Sequence, residues 1–315
     1  MTENQKNQSE NGGKPYLSAF GAWALAFGCA VGWGAFVMPG TTFLPIAGPV
    51  GTVVGLGLGA LIMVVIARNY HYLINRYPGT GGTYSFTKKC FGYDQGFLAA
   101  WFMILTYFAI IWANATALPL IARTLLPGVF QFGFHYEVAG FHVYFGEVLL
   151  VVLALAAGAL VCLRRRLDMW TQIFMAVLLF CGAIGCFAAA VWNGADAGTL
   201  EPAFSPDHAP AAGVVIVFAL APWAYVGFES ISHSSGESKY KLKKSFTVMA
   251  CALAAAAAVY AVLSLSAVLH APDGNGWTAY VANLGTYSGV ESMPVFYSIY
   301  ASLGKAGSVI LGTVA

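Results

Sequence analysis

The sequence predicts an all-α, multi-pass integral membrane protein built around two interrupted helices. Three observations carry that prediction. First, 59% of the 315 residues are hydrophobic and only 9% are charged, with a mean hydropathy of +0.71; soluble domains carry about 25% charged residues. Such a chain cannot cover a water-facing surface, so its main solvent is lipid. Second, apolar runs of the roughly 20 residues that cross a bilayer recur along the chain. Third, two of those runs carry Gly and Pro where a simple anchor helix would carry Leu and Val.

Seven runs of about spanning length lie at 17–39, 46–67, 96–120, 146–163, 169–192, 212–232 and 246–269. An eighth begins near Lys305, and the chain stops inside it at Ala315. Residues 294–304 read as an outer interfacial helix leading into it. The reading is therefore of a bundle truncated within its eighth transmembrane helix, part of a longer protein. Residues 1–16 are polar and lack the apolar core and small-residue cleavage site of a signal peptide. They read as a short disordered cytoplasmic tail ahead of a membrane domain spanning 17–315.

Charge placement sets the orientation, because inner loops carry the excess of Lys and Arg. With the N-terminus in the cytoplasm, 13 of the 15 basic residues fall inside, including Arg68, Arg76, Lys88, Lys89, Arg164–Arg166 and Lys239–Lys244. Only Arg123 and Lys305 fall outside, each near a helix end from which it can snorkel. The net charge of +2 is small, and nucleic acid is not an expected partner. Of the six cysteines most sit in apolar runs and none forms a CxxC pair. They read as small apolar packing residues, with no disulfide framework or zinc site, and no metal or cofactor is expected.

Three segments carry the chemistry. The first is Gly28–Gly40, with glycines at 28, 32 and 34 followed by Pro39-Gly40. Gly28 and Gly32 form a GxxxG pair, which lets two helices approach closely; Gly34 and Pro39-Gly40 add breaks that a packing face does not need. An unpaired backbone group in the bilayer costs several kcal/mol, so a broken helix persists where the freed groups line a cavity or hold a ligand. The second is Pro78–Gly92 on the cytoplasmic side, a Gly/Pro turn followed by a Tyr/Phe/Lys pattern that suits an interfacial helix.

The third is Phe218–Ser232. Pro222 kinks a helix, Gly227 weakens it five residues on, and Glu229 is the acidic residue well within a membrane run. A carboxylate at that depth is costly and faces a partner or a water-filled cavity. It serves either proton coupling and gating or the locking of this span to its neighbours. The first and sixth spans are thus interrupted and separated by four uninterrupted ones, the pattern of a midplane site between two inverted repeats. Exposed helix starts there can hold a carboxylate and opened carbonyls an ammonium, which suits an α-amino acid.

At this point a resemblance enters. Gly28–Gly40 resembles the first-helix signature of the amino acid–polyamine–organocation (APC) superfamily, a G-S-G-I/V-F run ending in Pro. Ala47-Gly48-Pro49 and Tyr77–Phe86 match its second-helix pattern, and Gly227-Phe228-Glu229-Ser230 with Ser235–Lys239 resembles its sixth-helix G-F/V-E-S and following E-x-K. The resemblance implies a leucine-transporter-like five-plus-five inverted repeat, with a first repeat at about 17–192 and a partial second at 212–315. It implies alternating access around breaks at Ala30, Val31, Gly32, Trp33 and Gly34 and at Trp223, Ala224, Tyr225 and Val226. The Trp223…Glu229 spacing is similar to the basic amino acid and amine antiporter branch, in which the tryptophan gates the substrate and the glutamate is tied to protons.

Asn114 matches a third-helix position that faces substrate, and an Asn there also commonly bonds between helices. Three positions depart from the pattern. Trp33 stands where the family carries a small Ser, which implies a substrate that is smaller, bound differently or displaced. Asn69–Tyr72 lack the usual acid near the end of the second helix, and Tyr240 replaces the Pro after E-x-K. His71 and His233 sit at the cytoplasmic interface, as interfacial polar residues or as ligands. The fifth span has no Lys to stand in for a bound sodium, which favours proton coupling or exchange.

The function expected is therefore a secondary transporter of amino acids or related amines in the cytoplasmic membrane. The alternative is a non-transporting amino-acid sensor module of a longer protein. An enzyme ranks last, because no span carries a His/Asp/Glu cluster. The partners expected are a small amino acid or amine, the lipid bilayer and a second copy of the chain in a homodimer.

Overall fold

The computed structural model describes residues 15–138, 140–193 and 197–315. All but the last two residues of the expected N-terminal tail lie outside the described residues. Among the described residues, the regular structure is helical apart from one short hairpin. Six helical segments among them are long and apolar enough to cross a membrane, and the first predicted span begins with a shorter apolar helix. Ser18 accepts a hydrogen bond from the Gly21 amide at 2.9 Å and starts α1, Ala19–Ala30. The helix stops at Val31, which is extended. It resumes as α2, Gly34–Met38, and passes through a π turn at Pro39–Phe43 into α3, Leu44–Arg76.

The first predicted span is thus two pieces, and its second piece continues into the second span rather than ending in a loop. The real corner lies at Gly48, with φ 71°. That conformation favours glycine, and the backbone of Phe204 occupies the space a side chain would need.

After α3 come α4, Gly82–Phe91, and α5, Tyr93–Leu125. An antiparallel hairpin of β1, His135–Val138, and β2, Phe141–Tyr144, follows with Glu137 opposite His142. The period-2 signal there is too short to stand out in the sequence, and the hairpin was not predicted. Then come α6, Phe145–Cys162; α7, Arg165–Trp192; α8, Pro210–Tyr225; and a 3₁₀ segment, Phe228–Glu237. The chain continues with α9, Ser245–Ser266, the short α10, Gly276–Ala282, and α11, Pro294–Val314. The expected helix at 294–304 and the start of the eighth run appear as the two pieces of α11, which meet at a non-helical Gly304 with φ 66°.

The core is the packing of α3 on α8 and α9, with α1 and the 3₁₀ segment beside them. Helices in lipid gain little from hydrophobic burial and associate through close contact of small residues. Gly51, Gly55 and Gly59, four residues apart on α3, supply that contact: Gly55 rests on Val217 and Gly59 on Ala221 of α8. The expected pair behaves otherwise. Gly28 has open space beside it, and Gly32 faces a polar side chain.

Arg123, expected to snorkel, is instead held by protein groups. It forms an ion pair with Glu147, whose side chain is 1% exposed, and donates to the His142 carbonyl. Glu147 also accepts from the Tyr144 amide at 3.1 Å, so it caps α6. His270, just beyond α9, bonds Ser302 of α11 at 2.8 Å. Burial holds its imidazole below the ordinary value.

At the opposite end of α3 from Gly48, the Gly79 carbonyl accepts from Ser235 Oγ at 2.6 Å and from the Gly236 amide at 3.0 Å. The amides of Tyr16 and Leu17 bond the Glu237 carbonyl, and Arg165 pairs with Glu237. The Gly/Pro turn is thus clamped to the end of the 3₁₀ segment. All six cysteines are free, and only Cys186 is buried, so most do not pack the core as expected.

Candidate functional site

The two chain breaks meet. At the first, the Val31 amide closes α1 on the Phe27 carbonyl at 3.0 Å, and α2 begins with Ala35 bonding Gly32 at 2.9 Å and Phe36 bonding Trp33 at 3.0 Å. The amides between these bonds are freed. Trp33 N–H donates to Asn114 Oδ1 of α5 at 2.9 Å, and Asn114 Nδ2 donates to the Ile110 carbonyl at 2.8 Å. The amides of Gly32 and Gly34 have no hydrogen-bond partner among the described residues. A Cβ on Gly32 would lie 2.8 Å from Asn114 Oδ1, so only glycine lets the carboxamide reach the break.

The Trp33 indole turns aside. Its ring stacks on Phe36 at 6.4 Å and tilts against Phe296 of α11 at 5.9 Å. The bulk that replaces the family's small Ser is therefore largely spent on anchoring the break to α11, while the residue's edge still lines the cavity.

At the second break, α8 runs through Tyr225. Val226 is extended and Gly227 is left-handed with φ 112°. A side chain on Gly227 would collide with the Cys29 backbone, so this glycine brings the two breaks into contact. The Gly227 amide donates to Glu229 Oε2 at 2.9 Å, and Ser230 N–H closes on the Gly227 carbonyl at 3.0 Å. Glu229 is buried in the first turn of the 3₁₀ segment. It caps that segment's start, where a negative charge meets unpaired amides.

Between the breaks and α5 lies a cavity of about 880 Å³. Ala30, Val31, Gly32, Trp33, Gly34, Asn114, Trp223 and Val226 all line it. Trp223 covers Gly34 so closely that any side chain at 34 would strike the indole. Ala224 and Tyr225 do not line it. Both are fully buried, and Tyr225 Oη donates to the Leu56 carbonyl of α3 at 2.9 Å. Glu229 does not line the cavity either; it holds the amide of Gly227, at the break.

The sequence reading missed Cys29, Thr106, Tyr107, Ile110 and Tyr260 in the lining. A signal existed for three of them, because positions 106, 107 and 110 share a helix face with Asn114. His233 bonds Tyr107 Oη at 3.3 Å, and His71 bonds Ser245 Oγ at 2.8 Å. Both histidines join helices rather than face the cavity.

A membrane bundle whose two broken helices meet around a cavity is built as a permease. The model of the amino acid permease family matches residues 17–314, and the chain belongs to that family. It is a multi-pass membrane protein of the APC superfamily. It is 26% identical over 79% of its length to a methylthioribose transporter of Bacillus subtilis, covering 54% of that protein. It is 29% identical over 81% to cationic amino acid transporter 4 of Homo sapiens, covering 41% of it. It is 26% identical over 82% to the branched-chain amino acid permease BcaP of Lactococcus lactis, covering 56% of it. The chain thus spans about half the length of the curated relatives it matches.

Proposed function

We propose that the protein is a secondary transporter that carries amino acids or related amines across the cytoplasmic membrane by alternating access, with its N-terminus inside. The observation that carries this reading is the contact of the two breaks: Gly227 on Cys29, Trp223 on Gly34, and a cavity between them that includes the free amides of Gly32 and Gly34. A substrate carboxylate would take those amides, and opened carbonyls at the breaks would take its ammonium. An inverted-repeat arrangement would pair α1–α2 with α8 and its 3₁₀ continuation and let them rock about the bound substrate.

Glu229 fits proton coupling through its cap. Protonation would remove the charge that holds the Gly227 amide, because charge-assisted bonds are roughly twice as strong as neutral ones. The inner half of the sixth span would then be freer to move. Counterflow in proteoliposomes tests the reading: labelled amino acid should enter vesicles preloaded with the unlabelled compound. Binding without any flux would overturn it.

A further inference from the structure

One face of α5 touches both broken elements. Asn114 holds the first break, with its Oδ1 on the Trp33 amide at 2.9 Å. Tyr107 stands seven residues earlier, two helical turns away on the same face, and reaches the continuation of the second. Its Oη lies 3.3 Å from His233 Nε2, and the two rings meet edge to face at 6.1 Å. His233 belongs to the 3₁₀ segment that follows the Gly227 break, four residues beyond Glu229.

Tyr107 lines the cavity, and His233 stands behind it. The imidazole in turn rests on the Gly/Pro turn. A Cβ on Gly82 would collide with the ring, and Gly82 has φ 49°, so glycine is what lets the turn close on it. The Gly79 carbonyl then fastens the turn to Ser235 and Gly236, just beyond His233. Cavity wall, Tyr107, His233 and Gly/Pro turn thus stand in series.

We infer that the Tyr107–His233 pair is a gate at the Gly/Pro-turn end of the cavity, joined in this structure and parted when substrate leaves by that end. The inference rests on the transporter reading and adds two residues that control passage. The partners sit on elements of different freedom. Tyr107 is inside a continuous helix, whereas His233 is on a segment that hinges at Gly227, where Glu229 holds the amide. A swing of that segment about Gly227 carries His233 away from Tyr107. Losing one such hydrogen bond shifts a two-state equilibrium about fivefold, enough to bias the gate without sealing it.

The test locks the pair. In the intact protein, with its native cysteines replaced, Tyr107→Cys and His233→Cys are introduced together and joined by a short, reducible bifunctional thiol reagent. Counterflow of a labelled amino-acid mixture is measured in proteoliposomes before joining, after it and after reduction. Joining should cut counterflow at least about tenfold, because the conformational steps of the cycle require the pair to part, and reduction should restore it. Joined protein that exchanges as fast as unjoined protein overturns the gate and leaves the transporter reading standing. Absence of counterflow in the parent protein as well overturns both. Tyr107→Phe, which keeps the bulk, gives a second reading with Cys29 as the single thiol. An impermeant reagent applied from the face that bears the turn should modify Cys29 about fivefold faster in Y107F than in the parent. Thr80→Cys, at an exposed position of the turn, identifies that face. An unchanged rate, or equal acceleration from both faces, would make the pair a structural tie and overturn the gate.

Discussion

Glu147 and Glu229 are the only buried charged side chains among the described residues, and they are held in opposite ways. Glu147 at the start of α6 has a guanidinium: Arg123 reaches it from α5, and the carboxylate also caps the Tyr144 amide. Glu229 has no basic partner. Its recorded hydrogen bond to another residue is with the Gly227 amide, at the one place where the sixth span is broken. A carboxylate balanced by Arg gains nothing from a proton and holds two helices together. One held by amides beside a cavity can be neutralised without stranding a buried cation. The local sequence separates the two poorly, since each is a lone acid at or in an apolar run; the partner, 24 residues away in the case of Arg123, makes the difference.

Four substitutions test that contrast. Glu147→Gln should act through stability. Leaving Arg123 without its partner should cost about 3 kcal/mol, the low end for a broken buried pair because Arg123 remains 30% exposed. Thermal unfolding of the purified protein would read this, and uptake per folded molecule should be unchanged. Glu229→Gln should show the reverse pattern. Its amide oxygen can still accept from Gly227, so stability should hold, while uptake falls about tenfold, near 1.4 kcal/mol in the transition state, and stops responding to an inward proton gradient. An unaltered pH dependence in E229Q would put Glu229 in the same structural class as Glu147.

Asn114→Ala removes the acceptor for Trp33 N–H and should raise KM about fivefold, the scale of one lost hydrogen bond at about 1 kcal/mol. Unfolding without any change in KM would make Asn114 a purely structural link. Tyr225→Phe has the smallest expected effect. Losing the bond to Leu56 should lower stability by about 0.5–1 kcal/mol and leave substrate preference unchanged, since the side chain points away from the cavity.

Much of this architecture was legible in the chain. Apolar runs located the helices, because length and hydropathy alone decide whether a segment can cross lipid. Glycines at 32, 34 and 227 marked the breaks, because they occur where a spanning helix has no other use for them. Side-chain direction was not legible. Tyr225 and Val226 are neighbours in sequence, yet one is buried against α3 and the other opens on the cavity. That division is set by where α8 stops, at Tyr225.

Trp33 was read as an obstacle, and its indole instead finds Phe36 and Phe296, the latter contributed by a distant helix. Gly28 was read as a packing residue, and the close helix contact lies instead at Gly55 and Gly59, where α8 supplies the matching surface. In each case the missing information belongs to a partner helix far along the chain.

The central claim is that the two breaks enclose a substrate site, and Cys29 offers a direct probe of it. Its backbone is the contact point for Gly227, and the residue lines the cavity. With the other five cysteines replaced by alanine or serine, a small thiol reagent should modify Cys29. A transported amino acid at about ten times its half-saturating concentration for uptake should slow that modification about tenfold, as occupancy of the site requires. Equal labelling rates with and without a transported amino acid would contradict the account.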